Sequence, residues 1–334
     1  MNKTTSSILI TISMLTLAMV ILPANAQYIE VRGKIANETA GRGYIDLSTE
    51  EIKWGPKNFP ALFMDIDNDL GSEHIIINQK GLSGSSRTIN KGNLIYATKG
   101  DNKILNVIRY AFGGNYTKAK NRGLFGFDAG KMSSENGKFK VVGLNTSKYI
   151  AIKNQTNKLV KLAIEQKSEN KTMKKDDVWN IGYGWQLTVV SVDAKARPKT
   201  VWLVLYKNGI KLDDVVKKEG DIYTYVSRSL AGEPDVPLFV MHINNITQGT
   251  ISDIVRFKYT WAIDTNVTEI KAGDVNGKFR TVVADQDRIV MKNMDYAITL
   301  CRGCVINIVG SAGVRVADKP FLRFYPKVDY NVCQ

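Results

Sequence analysis

The feature that most limits how this chain can fold is an internal repeat. Asn136-Gly137-Lys138-Phe139 returns as Asn276-Gly277-Lys278-Phe279, an offset of 140 residues. The following residues are alike too, with Lys148-Tyr149-Ile150-Ala151-Ile152-Lys153-Asn154 standing against Arg288-Ile289-Val290-Met291-Lys292-Asn293. Upstream, Ile75-Ile76-Ile77, Gly81 and Gly92-Asn93-Leu94-Ile95-Tyr96 match Leu203-Val204-Leu205, Gly209 and Gly220-Asp221-Ile222-Tyr223, with both glycines offset by 128. The landmarks keep their order, and the larger later offset is what one insertion of 12 residues in the second copy produces. Self-similarity over a long period constrains architecture before local assignments do. It predicts two related units in which Gly81 and Gly209 occupy equivalent hairpins.

The periodicity within each unit is that of strands. Tyr28-Ile29-Glu30-Val31-Arg32-Gly33-Lys34-Ile35 alternates apolar and polar residues, as does Trp185-Gln186-Leu187-Thr188-Val189-Val190-Ser191-Val192. Lys199–Tyr206 is β-branched and aromatic and ends at Lys207-Asn208-Gly209, where Asn-Gly supplies the positive φ angles of a tight hairpin turn. Asn136-Gly137 and Asn276-Gly277 offer the same chemistry. Short strands between closely spaced turn signals predict an all-β chain of sandwiches or barrels. The best helical candidate, Gln155–Gln166, has a second-copy counterpart that reads as strand. The polar, lysine-rich stretch Asn170–Val178 is the expected boundary between units.

Residues 1–26 read as a signal peptide: Lys3 is the positive n-region, Ile8–Leu22 the apolar stretch, and Ala24-Asn25-Ala26 the small-x-small cleavage site before Gln27. That apolar stretch is shorter than the ~20 residues that span a bilayer, and Ile298–Ile308 is interrupted by Arg302 and Asn307. The expected product is exported, without a transmembrane segment. Asn-x-Ser/Thr sequons stand at Asn37, Asn115, Asn145, Asn154, Asn170, Asn245 and Asn266. In a secreted chain each is a candidate glycan acceptor, which requires a surface position. The formal charge of +14 is compatible with contact to polyanions such as acidic cell-surface glycans, but a solvated surface that keeps an exported protein soluble is the favoured reading. The lysines are dispersed, and no zinc finger, RNA-binding aromatic motif or basic helix suggests nucleic acid.

The remaining constellations point to structure rather than chemistry. Asp65-Ile66-Asp67-Asn68-Asp69 alternates carboxylates as calcium loops do, yet the glycine and bidentate glutamate of the helix-loop-helix pattern fall on Leu70 and Ile76. An acidic turn after a strand is the simpler reading, with weak calcium binding at Asp65, Asp67 and Asp69 left open. Cys301 and Cys304 flank Arg302-Gly303 between strand-like Ala297–Leu300 and Val305–Val309, a hairpin-like spacing compatible with a disulfide. Cys333 could pair with either, link two molecules or stay free. Three cysteines without a nearby histidine do not complete a structural zinc site. His74 and His242 each lie beside an apolar run and read as strand residues. No nucleophile elbow, phosphate-binding glycine loop or metalloprotease helix occurs, so neither an enzyme nor a cofactor is expected.

Taken in order, these motifs resemble the S-layer family duplication domain of methanogenic archaea, of the methanosarcinal surface-layer type. The resemblance rests on Tyr28-Ile29-Glu30-Val31-Arg32-Gly33-Lys34, Met64-Asp65-Ile66-Asp67-Asn68-Asp69-Leu70-Gly71 and Ile270-Lys271-Ala272-Gly273-Asp274-Val275-Asn276-Gly277. It is most specific near the end, through Asn293-Met294-Asp295-Tyr296-Ala297-Ile298-Thr299-Leu300, Ile306-Asn307-Ile308-Val309-Gly310 and Leu322-Arg323-Phe324-Tyr325-Pro326. It implies two tandem, structurally related β-sandwich domains, expected over residues 27–175 and 176–334. It also implies a structural role in which glycosylated copies contact other S-layer subunits in a porous surface lattice. Familiar lattice subunits often carry the duplication domain twice, followed by a threonine-rich stalk and a membrane helix, and tend to be acidic. This basic chain shows one such domain and reaches Gln334 soon after Arg323-Phe324-Tyr325-Pro326, which suggests a minor component docked on an anchored relative. The alternative is a secreted adhesin that grips acidic glycans.

Overall fold

The computed structural model describes residues 27–39, 41–127 and 136–332; the signal-peptide reading and Cys333 lie outside the described residues. The chain is all-β, as expected. Trp185–Asp193 and Thr200–Lys207 are strands, and Asn208-Gly209 turns the latter into Ile210–Lys218. The alternation from Tyr28 gives the strand Gln27–Arg32 and stops at Gly33. There the backbone N–H donates to the Pro326 carbonyl, and a Cβ would lie 2.6 Å from the Pro326 ring. Gln155–Gln166 is not helical. It forms two strands, Lys158–Val160 and Leu162–Glu165, with Leu159 in one core and Val160, Leu162, Ala163 and Ile164 against the other. Asn170–Val178 is not a linker either, since Lys171–Lys174 pairs with Ile254–Ile263.

Strand pairing crosses the boundary expected at residue 175. Gln27–Arg32 runs antiparallel to the end of Arg323–Val332, with Val31 opposite Val328. Leu94–Lys99 pairs with Arg288–Lys292, and Thr88–Ile89 with Ile298–Thr299. The first and last parts of the chain thus share sheets, and the intervening part forms two of its own. One of these has the order 178–182, 185–193, 200–207, 210–218; in the other, 222–230, 233–247 and 254–263 follow one another. Chain order does not reveal such pairing, because hydrogen bonding between strands is indifferent to their separation in sequence.

Two hydrophobic cores result, and a single sheet separates them. That sheet contains Asp101–Ile104, Lys138–Leu144, Ser147–Ala151 and Lys158–Val160. Phe139, Val141, Ile150 and Val160 face a core shared with Leu187, Leu203, Phe239 and Trp261. Val142, Leu144, Ala151 and Leu159 face the other, with Trp54, Ile77, Phe279 and Phe324. Successive side chains of a strand point to opposite faces, so Val141-Val142-Gly143-Leu144 is apolar throughout because both faces are buried.

The repeat is visible in local geometry but not in overall pairing. Gly137 (φ 76°) and Gly277 (φ 59°) each lead into a strand that opens a hairpin, 138–144 with 147–151 and 279–284 with 288–292. Phe139 and Phe279 are buried at matching places. Gly81 and Gly209, however, do not occupy equivalent hairpins. Gly209 closes a two-residue turn, whereas Gly81 lies in the longer connection between His74–Asn78 and Thr88–Ile89. The intervening Thr88–Ile89 is drawn off to pair with 298–299, so no tight turn forms at Gly81.

A wall shared by two cores should couple them. Phe139→Ala is expected to destabilise the whole chain by about 3–5 kcal/mol in a single urea transition. Gly143→Val should also destabilise it, because a Cβ there would come within 2.8 Å of Phe63. Two separate transitions in calorimetry, only one of them shifted by these variants, would contradict the coupling.

Candidate functional site

A cleft of about 550 Å³ opens where the acidic turn meets the dividing sheet. Its chemistry is a buried ion cluster. Lys103 Nζ lies 2.9 Å from Asp65 Oδ2 and 2.9 Å from Glu165 Oε1, and Lys148 Nζ lies 3.1 Å from Glu165 Oε2. Lys103, Asp65 and Glu165 are all largely shielded from water. Burial disfavours the Lys103 ammonium, but hydrogen bonds to Asp65 and Glu165 outweigh it and raise the pKa. Burial likewise acts against the Asp65 carboxylate, and bonds from Asn68 and Lys103 bring it below its ordinary value. The cluster ties together four strand and turn segments through Lys103 and its partners.

The acidic turn is thus occupied by cations of the protein itself. Asp65 meets Lys103, Asp67 meets Lys167 at 2.9 Å, and Asp69 meets Lys57 at 3.9 Å. The three carboxylates point to three different lysines, and among the described residues no three acidic, histidine or cysteine side chains gather as a metal set. A second buried carboxylate, Glu73, accepts from the Phe63 and Thr146 N–H groups and from the Tyr96 hydroxyl at 2.6–2.8 Å. The sequence offered no local signal for Lys103, Glu165 or Glu73, since their partners lie 10 to 73 residues away in other elements. 

The other predicted residues are dispersed. His74 opens a strand and contacts the Ser72 carbonyl through Nδ1 at 2.8 Å. His242 is buried within Glu233–Thr247 against Phe112 and Tyr259; burial holds its pKa down at about 4, leaving it neutral. Cys301 and Cys304 form a disulfide with Cα atoms 5.6 Å apart. Their setting differs from the expected hairpin: Ile298–Thr299 pairs with Thr88–Ile89 and Val305–Val309 with Ala312–Val316, so the turn passes the chain from one sheet to another. Among the sequons, Asn115, Asn170 and Asn266 are exposed, while Asn145, Asn154 and Asn245 are half-buried. Asn37 is buried, and its amide nitrogen donates to the Thr39 carbonyl, which leaves little room for a glycan. Among the described residues no helix is long and apolar enough to cross a membrane.

A further charge cluster lies on the sheet joining the first and last strands. Glu30 accepts from Arg32, Tyr325 and Lys327 at 2.7–3.1 Å. Burial alone would raise its pKa, but these bonds prevail and hold it at about 2.

Two predictions follow from these clusters. Lys103→Ala leaves two buried carboxylates with less compensation and should cost about 3–5 kcal/mol in chemical denaturation. Glu30 has a folded pKa below its ordinary 4.5, so its contribution is full above that value and is lost as pH falls toward about 2. In Glu30→Gln, the part of the acid-induced fall in melting temperature that belongs to this window should disappear; an unchanged profile would contradict the assignment.

A family model described as S-layer protein matches residues 45–318. The chain is 27% identical over 309 residues to the Major S-layer protein of Methanosarcina barkeri (strain Fusaro / DSM 804), covering 90% of this chain and 42% of that protein. It is 25% identical over 311 residues to the Major S-layer protein of Methanosarcina mazei, covering 91% and 40%. For the Methanosarcina acetivorans Major S-layer protein the identity is 24% over 313 residues, covering 91% and 41%. The chain therefore spans about two-fifths of the length of these relatives. With a family match running through both cores and the sheet between them, this chain belongs to the S-layer protein family.

Proposed function

We propose that this chain is a structural component of an archaeal S-layer, or an accessory to one, acting at the cell surface through protein–protein contacts. The observation that carries this reading is the family match over residues 45–318, which includes both cores. The finer parts of the reading are proposals too. Residues 1–26 would direct export and be removed. The exposed sequons Asn115, Asn170 and Asn266 are the favoured glycan acceptors. The matching glycine turns support descent of two sandwich-like bodies from one duplicated unit, with strands of the second copy now completing sheets of the first. The buried acids are engaged within the fold, Asp65 and Glu165 by lysines and Glu73 by backbone N–H groups and the Tyr96 hydroxyl, which fits a scaffold better than a catalyst.

The +14 charge favours a second reading, in which a basic surface binds acidic cell-surface glycans. Ionic strength separates the two. Glycan binding should weaken steeply between low and high salt, whereas contacts built on apolar burial and backbone hydrogen bonds should persist.

Cell fractionation and imaging test the proposal. The protein is expected in isolated envelopes and in their ordered surface arrays, with its mature terminus at Gln27 by mass spectrometry. Recovery from culture medium alone, with none in the arrays, would overturn it.

A further inference from the structure

The four-stranded sheet ends on Ile210–Lys218, which among the described residues has a neighbouring strand on one side only. This edge is nine residues long, contains no buried residue and has no proline. Exposed edges invite pairing with other strands, and proteins usually blunt them with proline, bulges or repelling charges. Here a bulge lies between Lys211 and Asp213, and beyond it Asp213–Lys218 runs in unbroken register with Thr200–Leu205. The charges on that regular part are not of one sign. They read Asp213-Asp214-Val215-Val216-Lys217-Lys218, acidic at one end and basic at the other.

We propose that this strand is a self-complementary interface, pairing antiparallel with the same strand of a second copy about a two-fold axis at Val215. The inference deepens the structural-component reading by naming one of its contacts. Parity fixes which registers are available. Both copies present the same alternate residues to the edge, so facing residues must be both odd or both even. An axis at Val215 sets Val215 opposite Val215, Asp213 opposite Lys217 and Lys211 opposite Glu219. On the other face, Asp214 meets Val216 and Leu212 meets Lys218. No like charges oppose one another. Moving the axis to Asp214 opposes Asp214 to itself and Lys211 to Lys217, and moving it to Val216 opposes Asp213 to Glu219. Axes at Asp213 or Lys217 oppose like charges directly. Among axes on the regular part, Asp213–Lys218, only Val215 opposes no like charges.

The backbone agrees with this register. Asp214 N–H donates to Asp213 Oδ1 at 2.9 Å and Lys218 N–H to Asp221 Oδ2 at 3.0 Å. Both use side chains rather than the neighbouring strand, so the even-numbered residues carry the outward donors. With the axis at Val215, Asp214 and Val216 of the two copies exchange N–H···O=C bonds, and Asp213 Oδ1 is released from Asp214 to meet Lys217 while Oδ2 keeps the Tyr223 hydroxyl at 2.8 Å. On the outer face Val216, 59% exposed, lies opposite Trp202, 41% exposed. In the dimer each Val216 would face Asp214 of the second copy and lie diagonal to its Val216, so the two Val216–Trp202 pairs flank the axis.

Sedimentation and cross-linking of the purified protein test the contact independently of envelope localisation. A reversible dimer is expected. Lys217→Asp should weaken it about tenfold or more by opposing Asp213 with a like charge, and Asp213→Lys combined with Lys217→Asp should restore it. Val215→Cys should give a disulfide-linked dimer, identified by mass spectrometry as a 215–215 cross-linked peptide, because opposed residues at such a site lie within bridging distance. Circular dichroism confirms that each variant is folded. A monomer at every concentration, a dimer indifferent to Lys217→Asp, or a folded Val215→Cys variant without the 215–215 link would each overturn the interface. Those results would leave the S-layer reading intact, whereas absence from envelopes would not touch the dimer.

Discussion

The structure depends on burying one sheet from both sides. Lys138–Leu144 and Ser147–Ala151 send alternate side chains into two different cores, so neither core can form without the same few strands. Burial of apolar area contributes roughly 25 cal/mol per Å², and the dividing sheet collects that contribution on both faces. It also carries the steric condition that Gly143 meets, where Phe63 and the Glu73 carboxylate approach too closely for a side chain. A sandwich with one solvated sheet can shed that sheet locally. This arrangement has no such option at its centre.

Polar groups then fix the angle at which the surrounding segments meet that sheet. Hydrophobic contact is non-directional and would tolerate sliding. The Lys103 cluster would not, since its atoms come from the acidic turn, the dividing sheet and Leu162–Glu165. Arg87 acts similarly at the far end, donating to the carbonyls of Gly84, Leu300, Lys319, Pro320 and Phe321. Such buried polar groups add little net stability compared with apolar packing, but a displaced arrangement would leave them unpaired. Geometry is what they protect.

The all-β class, the strands beginning at Tyr28, Trp185 and Thr200, and the Asn208-Gly209 turn were all legible because they depend on local pattern. The pairing of Gln27–Arg32 with Arg323–Val332 was not, because nothing within either segment specifies its partner. Gln155–Gln166 was misread for a related reason: its apolar spacing serves two cores, and a periodicity argument assumes one. The Gly81 comparison failed where tertiary pairing of Thr88–Ile89 took precedence over a local turn signal. The acidic turn was recognised as a turn, yet its lysine partners at 57, 103 and 167 come from separate elements. Charge complementarity at long range leaves no mark on either segment alone.

For a component of a surface array, rigidity and contact are one problem. A repeating assembly closes only if the angle between successive contacts on a subunit is constant; a few degrees of play at an internal hinge accumulates over many copies. In this chain a contact on the 210–218 edge and another on the sheet of the first and last strands would be related through the dividing sheet, by way of both cores. No flexible linker intervenes at 170–178, because Lys171–Lys174 is itself paired in a sheet. The same wall that makes the two cores interdependent would therefore transmit the orientation of one contact to the next. A tandem pair of independent sandwiches would need an additional interface to do so.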